Sequence, residues 1–222
     1  MLLRPTALLF DMDGLLVDSE PLWFDVERAF AAAHGATWTD AHARACVGRG
    51  IATTLAFMRD ELGVQADPAR AAGAIVEAFV ARVAELRLKP GAEALLDAAR
   101  GRVPCALASS SARHLIDAVL GRFALGFDAV VSGEEVARPK PAPDIFVEAA
   151  RRLGVPARGC VVLEDSHAGA RAGQAAGAWV IAVPEHGADG FEGVADRVVA
   201  DLFEARALLD LGAAPAPGDA PA

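Results

Sequence analysis

Cysteine is scarce in this chain, basic charge never in excess, and no apolar run is long; each shortage removes a class of protein. Cys46, Cys105 and Cys160 are odd in number, widely spaced and without a CxxC pair, so neither a disulfide framework nor a zinc ribbon can be drawn from them. Free thiols in a reducing, cytoplasmic compartment are expected. The 21 Lys+Arg are scattered among 30 Asp+Glu with a net charge of -9, which leaves no footprint for nucleic acid or an anionic membrane. An anionic ligand would need a local positive device. No run approaches the ~18 apolar residues of a membrane span. The apolar stretch Ala7 to Phe10 meets Asp11 and Asp13 too early to be a signal-peptide core. Lys89 and Lys140 are the only lysines, an arginine bias that carries no functional information.

What is present is a 222-residue chain that is 54% hydrophobic and 23% charged. At ~150 residues per domain that suits one elaborated domain or two small ones, with a core that needs no staples. Ala7 to Phe10 reads as a strand covered on both faces, since it has no polar alternation. Between Ser19 and Leu86 the pattern is helical, with helices expected at Pro21–Ala33, Asp40–Cys46, Thr53–Leu62 and Pro68–Leu86 and no good strand. After the Lys89-Pro90-Gly91 break, strands and helices alternate. Strands are expected at Val103–Ala108, Ala129–Ser132, Cys160–Leu163, Trp179–Val183 and Arg197–Ala200. Helices are expected at Glu93–Arg100, Ala112–Leu120, Pro143–Leu153, His167–Ala176 and Leu202–Leu211. The expected fold class is α/β, a doubly wound parallel sheet with an all-helical insert after its first strand. Residues 1–17 and 87–212 would form the core, 18–86 the insert, and the Pro- and Ala-rich 213–222 a disordered tail.

Ligands of such sheets sit at the carboxyl ends of strands, and four polar groups fall there. Asp11 and Asp13 follow the first strand, Ser109-Ser110-Ser111 the second, Lys140 lies in the loop after the third, and Glu164-Asp165 ends the fourth. Each has an ordinary reading: an acidic turn, an N-cap for Ser109-Ser110-Ser111, a surface salt bridge for Lys140, an N-cap from Asp165 or Ser166. Each also has a chemical one. Clustered carboxylates without a nearby His or Cys pattern suit a hard cation, Mg²⁺. Hydroxyls and N–H groups at a helix start can cradle an anion, and a lysine between Pro139 and Pro141 can neutralise carboxylate and phosphate together. As a set they are equipment for phosphoryl transfer.

The stretches Phe10-Asp-Met-Asp-Gly-Leu-Leu-Val-Asp-Ser-Glu-Pro21, Ala106-Leu-Ala-Ser-Ser-Ser111, Arg138-Pro-Lys-Pro-Ala-Pro-Asp-Ile-Phe146 and Val162-Leu-Glu-Asp-Ser-His-Ala-Gly169 resemble, in order, the four motifs of the haloacid dehalogenase superfamily, in the branch with a helical cap (subfamily IA). The resemblance implies a Rossmann-like core and a Mg²⁺-dependent phosphatase acting through an aspartyl-phosphate. It makes Asp11 the nucleophile and Asp13 the proton donor and acceptor, with phosphate held by Ser109 and Ser110 and charge neutralised by Lys140. Metal would be bound by Asp11, Asp13 through its carbonyl, Glu164 and Asp165. Asp13 sets the chain apart from the dehalogenase branch, which lacks this aspartate. The β-phosphoglucomutase branch is similar too, but usually has His where Trp23 stands and Arg where Ile51 stands. Asp18-Ser-Glu-Pro-Leu-Trp23 is closer to sugar-phosphate phosphatases, including those for 2-deoxyglucose 6-phosphate and hexitol phosphates.

Three functions are thus carried forward: a phosphatase for a small phosphomonoester, a phosphosugar mutase, and a non-catalytic binding or regulatory protein. Trp23 and Arg49 are candidate substrate contacts, each with a packing or solvated-surface alternative. His167 and His186 are set aside, because Asp13 already fills the acid–base role, and Cys105 and Cys160 read as inert core thiols. A monomer with a small-molecule substrate is expected, since a cap can screen the site from within one chain.

Overall fold

The computed structural model describes residues 2–48, 50–185 and 187–212; Arg49, His186 and the expected tail lie outside the described residues. β1 (Ala7–Phe10) is wholly apolar and wholly buried. A strand of that composition needs a neighbour on each edge and cover on each face. β2 (Cys105–Ser109) and β4 (Cys160–Glu164) pair with it in parallel on either side. With β3 (Ala129–Ser132), β5 (Trp179–Ala182) and β6 (Arg197–Val198) they make a parallel sheet of order β3-β2-β1-β4-β5-β6. The chain runs outward from β1 in one direction, then returns to place β4 on its other side. That reversal leaves a crevice at the carboxyl ends of β1 and β4.

Side chains alternate across the sheet. Leu8 and Phe10 pack on one face with α5 (Ala92–Ala99), α6 (Arg113–Phe123) and α9 (Leu202–Ala207). Ala7 and Leu9 pack on the other with α7 (Asp144–Arg152) and α8 (His167–Ala175). α1 (Glu20–Ala33), α2 (Asp40–Cys46), α3 (Ile51–Leu62) and α4 (Pro68–Val80) fall between β1 and α5 in sequence and add no strand to the sheet. Local signals start two of them: Thr39 caps α2 by accepting from His42 N, and Asp67 caps α4 by accepting from Arg70 N. Trp38, Met58, Ile75 and Phe79 of this helical block join the same hydrophobic cluster as Leu8 and Phe10.

The chain enters and leaves the block through one narrow crossing. Val17 and Leu88 form an antiparallel bridge, Asp18 N donates to Arg87 O at 2.9 Å, and Lys89 N donates to Leu16 O at 2.9 Å. This crossing explains why α4 stops at Val80 rather than running on to Leu86. A short three-ten turn, Val83–Glu85, turns Leu86 into the core and delivers Leu88 to Val17. The last helix is likewise shorter than its periodicity suggests, ending at Ala207 because Leu209 bridges Leu3. β2 starts later than expected, at Cys105, and extends to Ser109, which pairs with Ser132.

Candidate active site

Asp11 directly follows β1, and its N–H donates to Leu163 O of β4 at 3.1 Å, so the backbone sets its position. Lys140 is 4% exposed. Its ammonium bonds Asp11 Oδ1 and reaches Glu164 Oε1 at 2.7 Å. The surface-salt-bridge reading of Lys140 therefore fails: both its partners are buried too. Burial alone would lower the lysine, but the carboxylates of Asp11 and Glu164 outweigh it and hold the ammonium charged. Burial also pushes the Asp11 carboxyl up, against the pull of Lys140.

Asp165 completes the acidic group. Carboxylate oxygens of Asp11, Glu164 and Asp165 lie within 4.8 Å of one another, and all three residues are buried. Burial first, then the charges of Glu164 and Asp11, pushes Asp165 well above the usual carboxylate range. With all three ionised, the carboxylates against one ammonium leave two negative charges, which a divalent cation would match. Oxygen-only donors suit a hard ion. Glu164 has less to offer than the others, because Oε2 already accepts from both N and Oγ of Ser166 and Oε1 faces Lys140. Gly14 lets Asp165 come close: its φ is +77°, and a Cβ there would strike Asp165 Oδ2.

Capping explains Ser166 and nothing else in these motifs. Ser166 accepts from Gly169 N at 3.0 Å and starts α8, while Glu164 and Asp165 turn to the site. Ser109-Ser110-Ser111 caps nothing, since α6 begins after Ala112 with no side-chain cap. Instead Ser111 Oγ donates to Asp13 Oδ2 at 2.7 Å, Ser109 Oγ to the same oxygen at 3.4 Å, and Ser111 N to Ser109 Oγ at 3.1 Å. Asp13 Oδ1 accepts from Trp23 Nε1 at 2.9 Å. Trp23 thus does both things weighed for it: the ring packs on Phe79, centroids 4.2 Å apart, and the indole N–H reaches the site. Asp11, Asp13, Trp23, Ser109, Ser110, Ser111 and Asp165 line one cavity.

The site also contains residues to which the resemblance gives no role. Ser111 and Ser19 lie inside the quoted stretches and Glu27 outside them; Ser19 and Glu27 are both buried and both line the cavity. The only sequence signal for Glu27 was the spacing of α1, which puts Glu20, Trp23 and Glu27 on one face. His167 stacks on Phe191 at 4.0 Å and contacts Asp189 O, a packing role. Cys46, Cys105 and Cys160 are in no disulfide and are buried, and burial pushes Cys105 up to about 12, so that thiol is inert.

Fold and site together define a doubly wound α/β enzyme with a carboxylate–lysine centre at the sheet's reversal point. A model of the haloacid dehalogenase-like hydrolases matches residues 5–177, and the chain belongs to that family. It is similar to the bifunctional riboflavin kinase/FMN phosphatase of Arabidopsis thaliana, 33% identical over 185 residues, covering 81% of this chain; it spans 48% of that longer protein. It is 31% identical over 219 residues to the phosphorylated carbohydrates phosphatase of Thermotoga maritima, covering 93% of this chain and 91% of the relative. Among solved structures, CbbY from Rhodobacter sphaeroides in complex with phosphate matches with a TM-score of 0.81 at 32% identity, over 90% of this chain and 96% of that one.

Proposed function

We propose that the chain is a Mg²⁺-dependent phosphatase that hydrolyses a small phosphomonoester, a sugar phosphate, through an aspartyl-phosphate. One observation carries the reading. Lys140 clamps Asp11 at the strand tip while a second carboxylate, Asp13, is held nearby by Ser111 and Trp23. Two carboxylates with different partners can take different roles.

In the first half-reaction an Asp11 oxygen attacks phosphorus, the bond from phosphorus to the leaving oxygen breaks, and protonated Asp13 gives its proton to that oxygen. In the second, Asp13 takes a proton from water as the water attacks phosphorus. The bond from Asp11 to phosphorus breaks, freeing inorganic phosphate and restoring the carboxylate. Ser109 Oγ and the Ser110 N–H would hold the phosphate oxygens, and Lys140 offsets their charge. Mg²⁺ would be held by Asp11, Asp165 and the Asp13 carbonyl, with Glu164 offering Oε1, and when bound it supplies neutralisation of the substrate's charge. Residues 18–86 would act as a cap that excludes bulk water, with Trp23 carrying contact from cap to Asp13.

The relative that acts on phosphorylated carbohydrates supports the substrate class. No helix among the described residues is long and apolar enough to cross a membrane. The reading is tested by inorganic phosphate release from a panel of sugar phosphates, with Mg²⁺ or with a chelator, for the natural chain and Asp11→Asn. Release should require both the metal and Asp11. Isomerisation of a phosphosugar without net phosphate release would establish the mutase instead, and inertness toward every substrate would leave a non-catalytic binding protein.

A further inference from the structure

Two polar groups on the α1 wall of the cavity have no part in the phosphoryl chemistry. Ser19 is fully buried, lines the cavity, and its Oγ has no hydrogen-bond partner among the described residues. Glu27, 6% exposed, lines the same cavity two turns further along. Trp38 Nε1 donates to Glu27 Oε2 at 3.0 Å, and the Thr54 side chain also bonds it, so three separate segments converge on this carboxylate. A carboxylate has about four acceptor positions, and two donors leave it room for more. The wall around it is apolar: Phe24, Ala43, Ile51 and Val76.

Burying an acid among such groups is costly. It pushes the Glu27 carboxyl up to about 7, against the hydrogen bonds from Trp38 and Thr54. If anchoring those two donors were its whole task, a glutamine oxygen would serve without that cost. The geometry also supplies a length. Trp23, whose indole touches Asp13, lies one helical turn from Glu27, about 6 Å along the axis. An extended carbon chain covers that in about five bonds at ~1.2 Å each.

We propose that Glu27, with Ser19, is the specificity site for the leaving group: its carboxylate accepts hydrogen bonds from hydroxyls of a five- or six-carbon phosphorylated sugar or polyol lying against Trp23. This rests on the phosphatase reading above and names the groups that select the ester. Acceptors buried in a largely apolar wall favour a hydroxylated leaving group and disfavour an aliphatic or aryl one, which would leave them unpaired.

The test compares kcat/KM of the natural chain, Glu27→Gln and Glu27→Leu on sorbitol 6-phosphate, glucose 6-phosphate and ribose 5-phosphate against phenyl phosphate and pentyl phosphate. Both substitutions should lower kcat/KM for the best hydroxylated ester about 10- to 100-fold, the range for a hydrogen bond to a charged group. Phenyl and pentyl phosphate should change less than about threefold. An equal fall for every ester would reduce Glu27 to an anchor for Trp38 and Thr54, and no fall for any would remove it from substrate contact; either overturns the proposal. If Glu27→Leu does not fold, the isosteric Glu27→Gln decides alone. If the natural chain releases no phosphate from any ester, the phosphatase reading fails separately. Calorimetric binding of sorbitol 6-phosphate to Asp11→Asn and to Asp11→Asn with Glu27→Leu then decides: at least tenfold weaker binding by the double variant supports the subsite, and equal binding by both, or none by Asp11→Asn itself, overturns it.

Discussion

The cavity has two walls built on different principles. The strand-end wall, Asp11, Asp13, Ser109, Ser111 and Asp165, is polar, and the network behind it is densely cross-bonded: Lys140, Asp11, Glu164 and Ser166 each touch another of the set. Backbone fixes its positions, because Asp11, Glu164 and Ser109 end or follow strands whose register is locked by neighbours on both sides. The α1 wall is apolar with a few isolated polar groups, held by side-chain contacts such as Trp23 on Phe79 and Glu27 on Trp38. On the function proposed above, chemistry common to all phosphomonoesters falls to the strand-end wall, and recognition of what differs among them to the wall made of helices. Helix faces can be resurfaced without disturbing a strand register.

That contrast can be broken from either side. The largest effect is expected on the strand-end wall: Asp11→Asn should lower kcat by about 10⁴-fold or more while substrate still binds, as measured by single-turnover kinetics. Lys140→Met comes next. It leaves the buried Asp11 and Glu164 without their cation and should cost about 3–5 kcal/mol in urea melts at pH 7. A loss below about 1 kcal/mol would show that the ammonium does not neutralise the buried carboxylates.

Smaller effects belong to the α1 wall. Burial raises Glu27 in the folded chain to about 7, so between its ordinary value of 4.5 and 7 the folded state holds a proton that the unfolded state has lost. Stability from this group is therefore present below 4.5 and is lost as pH rises through 7. Glu27→Gln removes the penalty, so the variant should match the natural chain near pH 4 and exceed it at pH 8 by at most about 3 kcal/mol in thermal or urea melts. No gain at pH 8 would mean that the carboxylate is better solvated than its burial implies. The smallest change is expected from Trp23→Phe, which keeps packing on Phe79 and loses the bond to Asp13. About tenfold in kcat with little change in melting temperature would place Trp23 as a positioning residue. A large fall in stability with unchanged kcat would make it only packing.

The two walls also differ in how plainly they could be read in the chain. Asp11, Asp13, Lys140, Glu164 and Asp165 were legible because each follows an apolar strand or sits in a proline-framed loop, and a parallel sheet brings such positions to one edge whatever the side chains do. Ser111 was half-legible: the serine run marked the place, but capping and anion binding look alike in one dimension, and only Asp13 Oδ2 separates them. Glu27 looked like any polar residue of an amphipathic helix. Nothing local shows that α1 turns that side inward or that Trp38 and Thr54 arrive from elsewhere to bond it.

By itself, then, the order of apolar runs and polar strand ends determined the sheet, the helical block after β1 and the residues at the reversal point, because strand alternation and the hand of parallel crossovers leave few ways to assemble them. Only tertiary structure decided where α4 ends, what Ser111 and Trp23 touch, and that Glu27 lines the cavity. Those outcomes depend on contacts between segments far apart in sequence: Val17 with Leu88, Trp38 and Thr54 with Glu27, Ser111 with Asp13. Such contacts exist only once the helices have packed, so no local pattern can encode them.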